Sequence, residues 1–398
     1  MVVDSQALLL RAGWLVERSG RAFRGGGVLF LGPRVVELLA DARAVDAAQR
    51  RHGLQARDLS GCVLAPAFVN AHAHLELGAL RERLQPGGDF SAWIRALLVE
   101  RGHVSAPAWH RGLQQAALEL LRSGTSLVAD IDSLGLPDPR LPLRRQRYVE
   151  LLDAQDPTRS AAAIERARGQ PRLAPHAPYT LCEASLAAIG ALARAQQARV
   201  SIHWAETDEE ELCLEAQQGP MAALLACGPG GRGLERLERA CLLGPLTLLV
   251  HGNAASLAER ARVARSGAGL VHCPGTHRWF DRPPFDWSGW AHSGVRLALG
   301  TDSLASNRAA SMRQELAWLL EDQPGLDPWA AHAAATHVAA DLLGERGQAG
   351  CLTPGARADA IALAGVPADL AELGRMLCEP AHTLVDLWIE GNSCKEFL

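Results

Sequence analysis

The sequence predicts an α/β fold in which a (β/α)8 TIM barrel is joined to a small β-sandwich built from both chain termini. Between residues 65 and 344, eight short apolar runs alternate with longer segments of helical period, and eight such units are typical of a barrel. Before and after this stretch, short apolar pieces are separated by Gly, Pro and charged residues. We therefore expect a barrel over 65–344 and a sandwich formed by 1–64 and 345–398.

The predicted barrel strands are residues 62–72, 125–131, 145–153, 172–176, 198–206, 246–251, 268–273 and 295–302. Segments of helical period lie between most of them, as in WHRGLQQAALELLRSG and EASLAAIGALARAQQ. The predicted sandwich strands lie in ALLLRAGWLVE, GGGVLFLGPRVVEL and ARDLSGCVLAP, and in GCLTPGARADAIALA and TLVDLWIEGN. Neither terminal set is long enough to be stable alone, so we expect the two sets to pair.

Composition argues against several kinds of partner. The net charge of −4 over 398 residues gives no indication of nucleic acid or an anionic membrane as a partner. No apolar run reaches the roughly 18 residues of a membrane span, and MVVDSQALLL carries no basic residue of the kind that begins a signal peptide. The nine cysteines include no CxxC pair, which favours reduced thiols. We expect a cytoplasmic protein with a small-molecule substrate.

Polar residues recur at the carboxyl ends of the predicted barrel strands, where catalytic groups lie in such barrels. A single histidine at such a position is most often structural, but here six strand ends carry polar groups. In strand order, from FVNAHAHLELG onward, these are His72 and His74, His176, His203 and Glu206, His251, His272, and Asp302.

The pair His72 and His74 predicts a metal site, because residues i and i+2 of a strand point to the same face. His203 from strand five and Asp302 from strand eight can reach the same point. Three neutral imidazoles and a carboxylate suit one divalent ion, Zn²⁺ first and Fe²⁺ as the alternative. Water bound to such an ion ionises near pH 7. The alternative, a strand with two core histidines, leaves the later strand ends unexplained.

The order of the motifs PAFVNAHAHLELG, PHAPYTL, IHWAETDEEEL, LLVHGN, HCPGTHRW and LALGTDSLASN resembles the amidohydrolase superfamily, in particular its cytosine deaminase/chlorohydrolase-like branch. LTPGARADAIAL resembles the terminal sandwich signature of that branch. The resemblance implies that Glu206 shuttles protons, that His251 polarises water and substrate, and that His176 contacts substrate. It implies four metal ligands, which are His72, His74, His203 and Asp302. It also implies self-association, as a homodimer.

The number of metal ions follows from the lysine content. Many members of the superfamily hold two ions bridged by a carbamylated lysine at the end of strand four. This chain has a single lysine, Lys395, and its predicted strand four ends in His176. We therefore expect one ion, unless a carboxylate replaces the bridging lysine.

The resemblance implies a metal-dependent aminohydrolase that releases ammonia from an aminated purine nucleoside derivative. The candidates are aminodeoxyfutalosine, which is favoured, S-adenosylhomocysteine and methylthioadenosine. Glu206 favours a nitrogen leaving group, since departing ammonia needs a proton and chloride does not. The alternatives are a chlorohydrolase, a guanine or cytosine deaminase, a cyclic-amide hydrolase, or a barrel that binds a ligand without turnover.

Further residues are predicted to contact the substrate. In DFSAWIRALL, Phe90 and Trp93 would cover the pocket, although an ordinary amphipathic helix fits equally well. Arg278, next to His277 in HCPGTHRWF, could bind a substrate carboxylate. The cluster Arg144, Arg145 and Arg147 could do the same, although a solvated face is favoured. We expect His272 to be structural and Asp208 to Glu211 to form a solvated acidic face.

Overall fold

The structure, a computed structural model, describes residues 7–154, 156–225 and 230–398; residues 1–6, 155 and 226–229, which fall in the first two predicted units, lie outside it. The strands are β1 (Ala7–Arg18), β2 (Arg21–Arg24), β3 (Gly27–Leu31), β4 (Arg34–Leu39), β5 (Arg57–Pro66), β6 (Phe68–Ala73), β7 (Thr125–Asp132), β8 (Arg144–Leu151), β9 (Arg172–Pro175), β10 (Arg199–Trp204), β11 (Thr247–His251), β12 (Gly269–His272), β13 (Arg296–Leu299), β14 (Ala360–Ala364), β15 (Leu384–Ile389) and β16 (Asn392–Ser393).

The α-helices are α1 (Ala42–His52), α2 (Phe90–Gly102), α3 (Ala106–Arg122), α4 (Pro157–Ala167), α5 (Glu183–Gln196), α6 (Asp208–Ala216), α7 (Gly233–Arg239), α8 (Leu257–Ser266), α9 (Pro274–Trp279), α10 (Trp287–His292), α11 (Met312–Asp322), α12 (Pro328–Ala334), α13 (His337–Leu342) and α14 (Leu370–Cys378). Short 3₁₀ helices lie at Leu75–Leu80, Pro220–Ala223 and Lys395–Phe397. Among the described helices, none combines the length and apolarity that a membrane crossing requires.

Strands β6 to β13 form a parallel sheet in which each strand pairs with the next one in sequence. The sheet closes on itself through a bridge between Ala73 and Asp302. The backbone N–H groups of Thr301 and Asp302 also donate to the carbonyl oxygen of His72, at 3.0 and 3.1 Å. Small and branched side chains such as Val69, Ala71 and Val250 fill the interior. The predicted barrel is confirmed, and it closes next to the predicted metal site.

The second sheet combines strands from both terminal regions, in the order β16-β15-β14-β5-β1-β3-β4, with β2 paired to β1. Strand β5 is parallel to β1 and antiparallel to β14. Its apolar core includes Leu10, Phe30, Leu64 and Trp388. The two terminal segments therefore share one core, as the sequence predicts, and their eight strands are hydrogen-bonded as one continuous sheet.

The predicted first barrel strand is in fact two strands. Strand β5 ends at Pro66 in the terminal sheet, and β6 begins at Phe68 in the barrel. Phe68 pairs with Thr125 of β7, whereas Pro66 pairs with Ala360 of β14. The predicted boundary after residue 64 therefore falls within β5. Both strands are apolar on both faces near this junction. The alternation of apolar and polar residues therefore does not mark where the chain passes from the terminal sheet to the barrel.

The terminal regions also contain two helices, α1 and α14, where the sequence predicts only strands and turns. Asp41 caps α1 by accepting a hydrogen bond from the Ala44 N–H, and Gly53 ends the helix in the left-handed region at φ 63. Only Val45 and Ala48 of this helix are buried. Its apolar residues fall on one face, so helical periodicity was a signal that could have predicted this helix.

Helix α3, which the period of WHRGLQQAALELLRSG predicts, fixes the chain just after His72 and His74, at the end of β6. It packs on the 3₁₀ helix Leu75–Leu80 through Gly112, where an added Cβ would lie 2.1 Å from the Ala79 nitrogen. Only glycine allows this approach. The backbone that leaves His74 is therefore held against a long helix.

Candidate active site

Three imidazoles meet at the carboxyl end of the barrel, those of His72, His74 and His203. One ring nitrogen from each lies within 4.8 Å of the others, and the Nε2 atoms of His74 and His203 are 3.2 Å apart. All three residues are buried, and among the described residues neither ring nitrogen of His72 has a hydrogen-bond partner. Buried polar atoms normally have partners, so these nitrogens fit a bound cation.

Asp302 adds a carboxylate to this cluster. Its Oδ1 lies 3.7 Å from the Nε2 atoms of both His72 and His74. Its Oδ2 accepts hydrogen bonds from the hydroxyl groups of Thr276 (3.0 Å) and Ser306 (3.1 Å). Burial favours a higher pKa for Asp302, but the interactions with His72, His74 and His251 outweigh burial and hold the pKa well below its usual range. The carboxylate therefore stays ionised and faces the imidazoles.

The three histidines of the cluster are neutral near pH 7. Burial is the main cause of the lowered pKa of each, and the other imidazoles lower the pKa values of His72 and His74 further. The Nδ1 of His203 lies 2.8 Å from the carbonyl oxygen of His176. Since a carbonyl only accepts, Nδ1 carries the proton and the lone pair of Nε2 faces the cluster. Neutral imidazole oriented in this way is the form that binds metals.

Glu206 and His251 stand side by side next to the cluster. The Glu206 Oε1 accepts a hydrogen bond from Arg282 Nη2 at 2.9 Å, and Oε2 lies 3.5 Å from His251 Nε2. Burial raises the pKa of Glu206, although the Arg282 charge opposes this change. Burial also holds the pKa of His251 well below its ordinary value. A carboxyl group of raised pKa beside a neutral imidazole is suited to proton transfer.

The backbone at three of these strand ends is strained. Ala205, His251 and Asp302 adopt positive φ angles of 49, 78 and 53, which residues with a Cβ rarely do. Such conformations cost about 1–3 kcal/mol each and concentrate at functional sites. They turn the chain sharply out of the strands and so place Glu206, His251 and Asp302 around one point.

Arg282 was not predicted from the sequence. It lies in the loop after α9, its side chain is 9% exposed, and its guanidinium carbon lies 4.8 Å from the ring centroid of Phe280 and 5.6 Å from that of Phe90. The available signal was an arginine between the aromatic residues of FDRPPF, which follows HCPGTHRW. Its partner, Glu206, is on a different loop, so the pairing cannot be read from local sequence.

The acidic run that follows Glu206 is not a uniformly solvated face, which corrects the prediction. Glu210 is fully buried and accepts hydrogen bonds from the backbone N–H groups of Ala205 (3.1 Å) and Glu206 (2.9 Å). Glu211 is 5% exposed and accepts from Gly233. Glu210 therefore holds the backbone that carries Glu206, while Asp208 remains exposed.

A cavity of about 360 Å³ opens beside the cluster, a size that suits a small molecule. Helix α2 covers it with Phe90 and Trp93, whose rings lie 5.3 and 5.2 Å from that of Phe280. His176 also lines it, with its ring 4.8 Å from the ring of His203. The structure thus brings three of the predicted substrate residues to the cavity that contains His74, His203, Glu206, His251 and Asp302.

Arg278, the fourth predicted substrate residue, does not line this cavity. It lies on α9, where its guanidinium pairs with Asp322 at 2.6 Å and Glu321 at 2.8 Å. The predicted role of Arg278 in substrate binding is therefore corrected, because its donors are already occupied. The other candidate arginines are also paired: Arg144 with Asp359, Arg145 with Asp130, Asp132 and Asp138, and Arg147 with Asp132.

The two remaining histidines of the strand-seven region lie outside the cluster. The ring of His272 stacks on Phe285, with centroids 4.0 Å apart, as expected for a structural residue. His277 Nε2 lies 2.5 Å from the carbonyl oxygen of Pro283. It lines a second cavity of about 420 Å³, which shares Phe90, Glu206 and Phe280 with the first.

A sequence model of the amidohydrolase family matches residues 63–392, which include the whole barrel and every residue of the cluster. The chain belongs to the amidohydrolase family. Amidohydrolases are metal-dependent, in agreement with the three-histidine group. Membership of this family confirms the prediction that the protein is a hydrolase acting on C–N bonds.

Amidohydrolases similar to this chain include named deaminases. The aminodeoxyfutalosine deaminase of Deinococcus radiodurans is 30% identical over 351 residues, which cover 80% of this chain and 82% of that protein. The 5-methylthioadenosine/S-adenosylhomocysteine deaminase of Teredinibacter turnerae is 29% identical over 365 residues, covering 84% and 80%. The crystal structure of Helicobacter pylori aminofutalosine deaminase with methylthio-coformycin matches with a TM-score of 0.81 at 22% identity, covering 97% of this chain and 99% of that one; this likeness shows the fold.

Proposed function

We propose that the chain is a metal-dependent deaminase that removes the 6-amino group of an adenosine derivative by hydrolysis and releases ammonia. The observation that carries this proposal is the position of Glu206, a buried carboxyl group beside both the three-histidine cluster and the cavity. Departing ammonia needs a proton donor at that point. The named deaminases among the relatives support the same reaction class.

We propose that one divalent ion is bound by His72, His74, His203 and Asp302, with Zn²⁺ as the first candidate and Fe²⁺ as the alternative. The unpartnered nitrogens of His72, the neutral state of the rings and the ionised carboxylate support this assignment. Such an ion, when bound, supplies a Lewis acid that lowers the pKa of water.

The proton transfers are assigned to residues that face the cavity. When water adds to the amine-bearing carbon of the ring, the adjacent ring nitrogen gains a proton and the water loses one. Glu206 accepts the proton from water and donates it to that nitrogen. Glu206 then passes the second water proton to the amine, the C–N bond breaks, and the amine leaves as ammonia. His251 and Asp302, neutral and ionised respectively, hold and orient the protons of the attacking water.

The surrounding residues prepare Glu206 and the substrate for these steps. Arg282 fixes one carboxyl oxygen of Glu206, and Glu210 fixes the backbone beneath it. The rings of Phe90, Trp93 and Phe280 form an apolar cover that suits packing against a nucleoside and exclusion of bulk water. His176, which lines the same cavity, is assigned to substrate contact. The cytoplasmic location and the homodimer remain predictions from the sequence.

An ammonia-release screen tests the proposal. The purified protein is incubated with aminodeoxyfutalosine, S-adenosylhomocysteine, methylthioadenosine, adenosine, guanine, cytosine and a chlorinated triazine, and loss of the adenine absorbance is followed in parallel. We expect kcat/KM to be highest for an adenosine derivative. A higher kcat/KM for free guanine or cytosine, or release of chloride without ammonia, would contradict the proposal.

A further inference from the structure

The cavity extends away from the cluster along one face of α2. Six residues of this helix line it, at spacings of three and four: Phe90, Trp93, Ile94, Leu97, Leu98 and Arg101. A helix rises 1.5 Å per residue, so Arg101 lies about 16 Å from Phe90 along the helix axis. A purine base covers only part of that length, whereas a nucleoside with a 5′ extension reaches the far end.

The far end of the cavity is mostly apolar, with Leu97, Leu98 and Leu152 among its lining residues. Three polar residues lie within it, Arg101, Ser133 and Glu150. In a pocket of this kind, a few polar groups within apolar walls determine which ligand is bound and how it is oriented.

Arg101 differs from Arg278 and from the cluster Arg144, Arg145 and Arg147. Among the described residues, no carboxylate oxygen lies within 4.0 Å of its guanidinium, whereas Arg278 pairs with Asp322 at 2.6 Å. Arg101 Nη2 donates to the Ser133 hydroxyl at 3.3 Å, and the guanidinium carbon lies 5.4 Å from the ring centroid of Trp109. A guanidinium carries five N–H donors, so Arg101 retains donors for a ligand.

We propose that Arg101 binds a carboxylate at the end of the substrate's 5′ substituent, so that the enzyme prefers adenosine derivatives with such a carboxylate over uncharged ones. This inference rests on the proposed function. The planar guanidinium matches both oxygens of a carboxylate, so pairing can be bidentate. Helix α2 thereby covers the nucleoside with its first turn and binds the substituent's charge with its last.

Glu150 can distinguish two kinds of substrate that carry such a carboxylate, one with an ammonium group beside it and one without. It follows the interior residue Tyr148 by two positions on β8, so both point into the barrel, and it lines the cavity. Burial, followed by the charge of Glu76, raises the pKa of Glu150 to about 7. Its ionised form suits an ammonium group beside the carboxylate, as in S-adenosylhomocysteine. Its neutral form accommodates a carboxylate alone, as in aminodeoxyfutalosine.

The test compares kcat/KM of Arg101→Gln for aminodeoxyfutalosine, S-adenosylhomocysteine and methylthioadenosine, which has no carboxylate. We expect a loss on the order of 30-fold for the preferred carboxylate substrate, the size of a lost charge-assisted hydrogen bond, and less than about threefold for methylthioadenosine. Arg95→Gln is the matched control, because it removes the same charge from an exposed position of the same helix. Equal losses for all three substrates would overturn the proposal.

A second measurement needs no variant and so does not depend on folding. The wild-type enzyme is compared on the preferred substrate and on its methyl ester, and we expect the ester to lose a similar factor in kcat/KM. Equal turnover of acid and ester would also overturn the role of Arg101. If no adenosine derivative releases ammonia, the proposed function itself fails; if methylthioadenosine is deaminated and the acid has no advantage, only the Arg101 assignment fails.

Glu150→Gln then identifies which of the two carboxylate substrates the site is built for. A loss confined to S-adenosylhomocysteine shows that an ammonium group is bound beside the carboxylate held by Arg101. An unchanged or improved kcat/KM for aminodeoxyfutalosine, together with its sensitivity to Arg101→Gln, shows that a lone carboxylate is bound. Insensitivity of both substrates to Arg101→Gln excludes both.

Discussion

Replacing Glu206 by Gln is expected to keep the metal and remove turnover. Gln is nearly isosteric, and its carbonyl oxygen can still accept the 2.9 Å hydrogen bond from Arg282. It cannot carry the proton that the ring nitrogen and the leaving amine require. Loss of a positioned acid/base lowers rate by about 10² or more, which raises the barrier by about 2.7 kcal/mol. Since the fold keeps its contact with Arg282, Tm should fall by only a few degrees.

The assay measures ammonia release at saturating substrate, with metal content determined by elemental analysis and folding by thermal denaturation. Asp208→Asn is the matched control, because it changes an exposed carboxylate two residues further along the same segment. Near-normal kcat in a metal-replete Glu206→Gln protein would refute the proton-shuttle role. It would also reopen displacement of chloride, since that leaving group needs no proton.

Three further changes test other parts of the site. His72→Ala should lose bound metal, activity and thermal stability together, because a ligand that binds only the folded state stabilises it; two ions per chain in the wild-type protein would contradict the single-ion site. Glu210→Ala leaves the N–H groups of Ala205 and Glu206 without an acceptor. At about 1–3 kcal/mol for each buried group, we expect lower stability and lower kcat with metal retained, and an unchanged kcat would show that Glu206 is held by other contacts. Burial raises the pKa of Glu150 from 4.5 to about 7, so the folded state binds this proton more tightly than the unfolded chain does. The resulting stabilisation is full below pH 4.5 and is lost as the pH rises through 7. Glu150→Gln should therefore make the free energy of unfolding depend less on pH, by at most about 3 kcal/mol. Identical denaturation profiles of the two proteins across pH 5–8 would contradict the raised pKa.

The barrel and its cluster could be predicted because strand geometry is regular. Parallel strands place their carboxyl ends at one rim, so polar residues that follow apolar runs must lie near one another. His72, His74 and His203 are therefore expected to lie together, without any knowledge of their distances. Glu206 is expected beside them, since it follows His203 by only three positions.

The remaining parts of the site depend on pairings between distant segments. Arg101 and Arg278 are the same residue type, and local sequence does not show which of them has carboxylate partners. Arg278 meets two carboxylates of α11, whereas the described residues offer Arg101 none within 4.0 Å. Whether Glu210 is solvated or buried likewise depends on how α6 meets the turn after β10. Such contacts are set by tertiary packing, which local period and charge do not encode.

The junction at Ala67 has a consequence for how the chain folds. Strand β5 ends at Pro66 with its hydrogen bonds to β14, which begins at Ala360, while Phe68 already starts the barrel. The first barrel strand is thus tethered to a sheet that stays incomplete until the region around Ala360 has been synthesised. Pairings of such long sequence separation form slowly, and an emerging chain folds largely in order of synthesis. The metal-binding rim, which begins with His72, is therefore expected to become rigid late in folding, when the two terminal regions come together.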